Sequence, residues 1–295
     1  MPETISAEAC DQDPGTAGAG ANRNPSRGIR VEKENDVDGG ASDTHWFEYQ
    51  QGWTHVRAEV IGEILLGLYV NGQEFASIMC TPLDQSALAL GFLKNERLLE
   101  RMEQVEALTV SRNGCCVDVW LDHAVERPRR EILTSGCGGG TTFQDPAEAM
   151  PPIETTAHLT PETLVDLMGK LHGPGSLHAR ARGVHTSALS DGREILLLAE
   201  DVGRHNTIDK LAGMAMLSEI PTAGRILLAT GRVSSEMLRK AARMGCPIIA
   251  SRNSPTSLAV SLAEALNLTL VGYVRRSTLR VYTHPERLGY QPETR

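Results

Sequence analysis

No apolar run in this chain is long enough to cross a bilayer, and its acidic, polar start carries no apolar signal core. The expectation is a protein without a membrane partner, in the cytoplasm. Positive charge is not in excess either: 29 Lys and Arg stand against 37 Asp and Glu, for a formal net charge of −8. That balance argues against a general nucleic-acid binder or a membrane-surface protein. The six cysteines, at 10, 80, 115, 116, 137 and 246, follow no framework spacing. Scattered thiols suit a reduced, cytosolic protein better than a disulfide scaffold. Neither Cys-x-x-Cys nor His-Glu-x-x-His occurs, so a protein-bound zinc or iron–sulfur site is not expected. A Walker-type phosphate loop, a Rossmann glycine fingerprint and any internal repeat are missing as well.

What is present divides into three parts. Residues 1–48 are rich in Gly, Ala, Asp, Asn and Pro and poor in large apolar side chains, which predicts a disordered tail in which Cys10 is an incidental thiol. Residues 49–145 read as a β-rich lobe. Its first hairpin spans 63–79 about an Asn71-Gly72 turn, and a second spans 108–121 about Asn113-Gly114. Between them Thr81-Pro82-Leu83-Asp84 carries cap and N1-proline signals for an amphipathic helix through 86–93. Strand alternation in the second hairpin sends Cys115 and Cys116 to opposite faces, one thiol to the core and one to the surface.

Residues 146–295 predict an α/β domain. After a Pro-rich connection and a helix from Thr160-Pro161 to about 171, strands at 194–199, 225–229, 247–250 and 269–273 alternate with helices. Short apolar strands in that setting imply a sheet covered on both faces. Ligands of such sheets bind beyond the carboxyl ends of the strands. Each of those four ends carries arginine: Arg204 beside His205, then Arg232, Arg252, and the pair Arg275 and Arg276. Guanidinium groups and capped helix N-termini suit a multiply phosphorylated ligand. The alternative is that some of these arginines, Arg204 above all, form ion pairs with Glu200, Asp201 and Asp209. His205 is a candidate to orient a ligand or to move a proton near neutral pH, and His185 is either that or a satisfied core histidine.

The other chemical signal is Thr134-Ser-Gly-Cys137-Gly-Gly-Gly140. Glycines on both sides of Cys137 let another molecule approach the sulfur, and successive N–H groups in such a loop favour a thiolate.

Several runs together resemble the formate dehydrogenase accessory sulfurtransferase family (FdhD/NarQ). They are Glu200-Asp-Val-Gly-Arg-His-Asn206 with Asp209-Lys210, Thr230-Gly-Arg-Val-Ser-Ser-Glu236 with Lys240, Ser251-Arg-Asn-Ser-Pro-Thr256, Val281-Tyr-Thr283, Gly91-Phe-Leu-Lys-Asn-Glu96 and the Cys137 loop. The resemblance implies a cytidine deaminase-like larger domain, a mixed sheet with helices on both faces, plus the smaller β-rich lobe. It also implies a sulfurtransferase that takes sulfur from a cysteine desulfurase as a persulfide on Cys137. The sulfur passes to the molybdenum (or tungsten) bis-guanine-dinucleotide cofactor of formate dehydrogenase, which is bound as a substrate. The cofactor-contacting segment carries over to Tyr273, Val274, Arg275, Arg276, Ser277 and Thr278, and a homodimer is implied as well. Many members have Cys-x-x-Cys in the loop, whereas the second position here is Gly140. A second thiol would resolve the persulfide; without it, release needs attack by the cofactor site or an external reductant. Two other readings stay open. One is a non-catalytic protein that holds or inserts the cofactor; the other is a cysteine hydrolase pairing Cys137 with His205 or His185.

Overall fold

The computed structural model describes residues 38–126, 132–133, 141–142 and 150–291. Two antiparallel strands, β1 (Ala41–Tyr49) and β2 (Trp53–Ile61), come first and pair along their full length. The expected tail through residue 48 is therefore too long, because β1 starts at Ala41, packed near Leu177 and Val184. The strand was invisible in the sequence because almost all its side chains are exposed, which leaves no period-two burial pattern to read.

The β-rich lobe forms as expected. Strands β3 (Ile64–Val70) and β4 (Gln73–Cys80) turn through Asn71 and Gly72, both with positive φ, as a type I′ hairpin requires. Helix α1 (Gln85–Asn95) follows, then β5 (Val105–Val110) and β6 (Cys116–Leu121). The sheet order is β4-β3-β6-β5, with β3 and β6 parallel. Two features differ from expectation. Pro82 lies outside α1, whose N-cap is Asp84 in the left-handed region without a side-chain bond. Thr81 instead reaches across to the second lobe: its amide donates to Asp201 at 3.1 Å and its hydroxyl accepts from the amide of Val202, also at 3.1 Å. Nor is α1 amphipathic. It is buried nearly all round, with Leu88, Leu90, Phe92 and Leu93 in the sheet's core.

The two-residue strands β7 (Ile132–Leu133) and β8 (Thr141–Thr142) pair antiparallel. They bracket residues 134–140 in sequence; Cys137 lies outside the described residues. Helix α2 (Pro161–Gly169) is capped by the Thr160 hydroxyl, and the four-residue helix α3 (Leu177–Arg180) by Ser176.

Six strands make the larger sheet. After β9 (His185–Ser190) and β10 (Ile195–Asp201) comes α4 (Arg204–Leu217), then β11 (Ile226–Ala229) and α5 (Ser235–Arg243). Strand β12 (Ile248–Ser251), α6 (Ser257–Ala265), β13 (Thr269–Arg275) and β14 (Thr278–Val281) complete it. The order is β10-β9-β11-β12-β13-β14, with β11, β12 and β13 parallel and the outer pairings antiparallel. Alternation along the strands feeds two cores. Leu227, Ala229 and Ile249 face α4, α5 and α6, whereas Ile226, Leu228, Ile248 and Ala250 face α2. The mixed sheet with helices on both faces is thus the architecture expected, although β9 and β14 were not foreseen as strands. The cap of α4 is Gly203, without a side-chain bond.

The lobes meet where α1 crosses α4. A Cβ on Gly91 would lie 1.7 Å from the carbonyl oxygen of Asp209, and one on Gly213 would lie 1.8 Å from that of Ala87. Glycine is unfavourable inside a helix, so its presence at both crossing points reflects backbone contact. No helix among the described residues is long and apolar enough to cross a membrane.

Candidate functional site

The run Glu200–Lys210 forms the seam between the lobes. Lys210 and Asp201, both with no exposed side-chain surface, pair at 2.7 Å. Lys210 also donates to the carbonyls of Thr81 and Glu200, while Asp201 accepts from the Gly203 amide and the Asn206 side chain. Asn206 reaches the carbonyl of Met79 in the other lobe. One turn on, Asp209 takes Lys240 at 2.6 Å and the Asn95 amide at 2.7 Å. Burial opposes the charge on Lys240, but Asp209, Glu236 and Glu96 outweigh it and raise its pKa. Glu200 accepts from the amides of Leu177 and His178 at the start of α3 and from the Thr186 hydroxyl. The acids of this run are thus met by lysines, backbone amides and the side chains of Asn95, Thr186 and Asn206.

His205 sits at the start of α4 with Nε2 3.2 Å from both the Ser234 hydroxyl and a Glu236 carboxylate oxygen. Burial, with Lys240, Arg204 and His185 nearby, holds its pKa down to about 3. The neutral imidazole carries its proton on Nε2, because a carboxylate can only accept. These two contacts tie the start of α4 to α5. His185 is lowered too, by burial first and then by Arg204. Arg204 and His185 lie just behind Gly231, where a Cβ would stand 3.0 Å from Arg204 Cβ and 3.2 Å from His185 Nδ1.

Beyond the carboxyl ends of β11, β12 and β13 opens a cleft of about 830 Å³. Its sheet side is formed by Thr230, Arg252, Asn253, Val274, Arg275 and Arg276, and its other wall by Val165, Asp166, Met168 and Gly169 of α2. Three of the five arginines named from the strand ends line this cleft, from two of the four ends. Arg275 and Arg276 are exposed, and their side chains make no hydrogen bond or ion pair among the described residues. Val274 and Arg275 both reach the cleft although they are neighbours, because Tyr273 (φ 53°) and Arg276 (φ 31°) depart from strand geometry beside a register shift. Tyr273 stacks under Arg280, 4.4 Å from ring centroid to guanidinium carbon, and Ser277 and Thr278 follow at the exposed turn. Arg232 is exposed after β11 without lining the cleft, and Arg204 and His205 lie outside it. The α2 wall and the histidines behind it were missed, since nothing in the sequence ties residues 165–178 to strand ends a hundred residues later.

Among the described thiols, Cys80 and Cys246 are buried, and burial pushes both up to about 12, which leaves them inert. Cys115 and Cys116 are both half-buried, not one core and one surface thiol.

These features define a class first: a two-lobed mixed α/β protein with an arginine-lined cleft at the strand ends of its larger sheet. The FdhD/NarQ family model matches residues 61–289, and the chain belongs to that family. It is 33% identical over 249 residues to the sulfur carrier protein FdhD of Bacillus subtilis, covering 82% of this chain and 95% of that one. With the sulfur carrier protein FdhD of Staphylococcus haemolyticus it shares 34% identity over 235 residues, 77% of this chain and 89% of the other. A crystal structure from Desulfotalea psychrophila, assigned as a formate dehydrogenase accessory protein, superposes with a TM-score of 0.72 at 27% identity. That match covers 84% of this chain and 99% of that one.

Proposed function

We propose that this protein is a cytoplasmic sulfur carrier that serves formate dehydrogenase, with the anionic acceptor held in the arginine-lined cleft and the sulfur carried on Cys137. In this reading the Cys137 thiolate attacks the outer sulfur of a cysteine desulfurase persulfide. A new S–S bond forms on Cys137 and the desulfurase thiolate leaves. The acceptor is the molybdenum (or tungsten) bis-guanine-dinucleotide cofactor, here a substrate. Two electrons, from the cofactor itself or from a pair of external thiols that leave as their disulfide, then cleave the S–S bond, so that the outer sulfur passes to the cofactor at the sulfide level and Cys137 returns to its thiolate. What supports the reading is one observation: three arginines, two of them unpaired among the described residues, meet in a cleft large enough for a nucleotide portion of the substrate. The relatives named sulfur carriers point the same way.

Incubation with a cysteine desulfurase and cysteine, followed by mass spectrometry, is expected to place one added sulfur on Cys137. Cys137→Ala is expected to abolish activation of formate dehydrogenase. No adduct on Cys137, or full activation by the alanine variant, would sink the carrier role. Gly140 in place of a second loop thiol favours one other reading, a protein that holds or inserts the cofactor without moving sulfur. It differs in outcome: Cys137→Ala would keep activation while Arg275→Ala would lose it.

A further inference from the structure

Arg252 is unlike the other two arginines of the cleft, because its guanidinium is fixed from behind. One terminal nitrogen donates to Nδ1 of His172 at 3.1 Å and the other to the carbonyl of Met168 at 2.8 Å. Arginine cannot accept, so Nδ1 of His172 is unprotonated and the ring proton sits on Nε2. The His172 ring is itself stacked on His178, with centroids 3.7 Å apart and planes 17° from parallel. His178 is held in turn at the start of α3, where its amide donates to Glu200 at 3.1 Å. A line of contacts therefore runs from Glu200, in the seam between the lobes, through His178 and His172 to a side chain lining the cleft.

Packing alone does not account for an imidazole at 172. Nε2 of His172 and Nδ1 of His178 are buried without a hydrogen-bond partner among the described residues, which is unfavourable compared with an apolar side chain of similar size. An acceptor for Arg252 does account for it. The titratable and charged groups acting on the His172 ring are Arg252, beyond β12, and His178, on α3. Burial first, then these two, hold its pKa down to about 4. It is therefore a neutral acceptor throughout the neutral range.

We propose that His172 is a positioning residue: it orients the Arg252 guanidinium so that its remaining N–H groups meet an anionic ligand in the cleft, with His178 stacked behind to hold the ring. This rests on the reading of the cleft as an anion site. Pyrophosphate is the probe, titrated calorimetrically against the full chain at pH 7. Loss of one charge-assisted positioning bond predicts that His172→Leu binds about tenfold more weakly. His172→Asn, whose side-chain oxygen can stand where Nδ1 accepts, is expected to bind within about twofold of wild type. Nitrogen NMR of the imidazole should show Nδ1 unprotonated and a depressed pKa in wild type. In Arg252→Ala that pKa should rise toward the ordinary value of about 6.5. A histidine that merely fills space would leave pyrophosphate binding alike in folded His172→Leu and His172→Asn, so the contrast between those two variants separates the roles.

Binding that is lost in Arg252→Ala but intact in a folded His172→Leu overturns this proposal alone. So does a His172 pKa that is ordinary in wild type and unmoved by Arg252→Ala. Wild-type protein that binds no pyrophosphate overturns the cleft reading and this proposal with it. Should His172→Leu fail to fold, His172→Asn and the NMR titration decide the matter.

Discussion

Gly213→Ala tests how the two lobes are held together. In an open helix this change stabilises by about 1 kcal/mol, because alanine is the better helix former. Here the added Cβ would lie 1.8 Å from the carbonyl oxygen of Ala87, whereas a carbon–oxygen contact needs roughly 3.3 Å. The axes of α1 and α4 must therefore part by roughly 1.5 Å at the crossing, a distance that follows from that contact. Neither helix has room to yield: Leu88 and Leu90 of α1 and Ile208 and Leu211 of α4 are fully buried. Overpacking of this kind costs about 1–3 kcal/mol and sometimes more. With backbone as the obstacle, the upper end applies. The net expectation is a loss of about 2 kcal/mol or more after the gain in helix propensity. Parting the helices also pulls Asn95 from Asp209, which sit 2.7 Å apart across the same crossing. Urea unfolding is the assay, read as a lower midpoint at unchanged slope. Gly169→Ala is the control: it ends α2, and a Cβ there meets nothing within 4 Å. It should be neutral or stabilising. If Gly213→Ala proves as stable as wild type, or gains like the control, the close crossing is not what joins the lobes. A Gly91→Ala, Gly213→Ala double variant should lose less than the sum of the two, since the first substitution has already parted the helices.

Lys210→Met strands the Asp201 carboxylate at zero exposure and is expected to cost about 3–5 kcal/mol in urea unfolding. Adding Asp201→Asn should recover much of that loss, and failure to do so would place the cost elsewhere. The imidazole of His205 is neutral when folded, with a pKa of about 3, and takes its proton only on unfolding. Below about pH 6.5 the unfolded state therefore binds more protons, and stability falls as pH drops from there toward 3. His205→Gln should flatten that slope in unfolding measured at pH 7, 5.5 and 4.5; an unchanged slope would assign the pH dependence to other groups. Arg275→Ala should weaken pyrophosphate binding about tenfold or more and flatten its salt dependence, with the fold unchanged by circular dichroism because its side chain is exposed and unpaired among the described residues.

Much of the fold was legible wherever local chemistry and burial agree. Asn71-Gly72 named its hairpin because two consecutive positive φ values select those residues. Thr160-Pro161 named the start of α2, and runs such as Ile226–Ala229 read as buried strands because both of their faces are covered. Where those two signals part company, the sequence was silent. β1 is held by main-chain pairing with its side chains in solvent, and β14 is a four-residue edge strand whose side chains alternate between half-buried and exposed. Pro82 carried every mark of a helix start, but Thr81 is committed to Asp201 and Val202 across the lobe boundary.

The sequence by itself determined that arginines end the strands of an acidic α/β domain, and that one cysteine lies among glycines. Both follow from residue type and strand order alone. Only the tertiary structure decided which arginines share a cleft. Arg252, Arg275 and Arg276 meet because β12 and β13 are parallel neighbours and the turn at Tyr273 breaks their alternation. Arg232 is exposed beyond the cleft and Arg204 lies behind Gly231. It also decided that Asp201, Asp209 and Lys210 of the 200–210 run bond across the boundary between the lobes. Their partners, Thr81, Asn95 and Lys240, are far away in the chain, and such pairings depend on packing that no local pattern encodes.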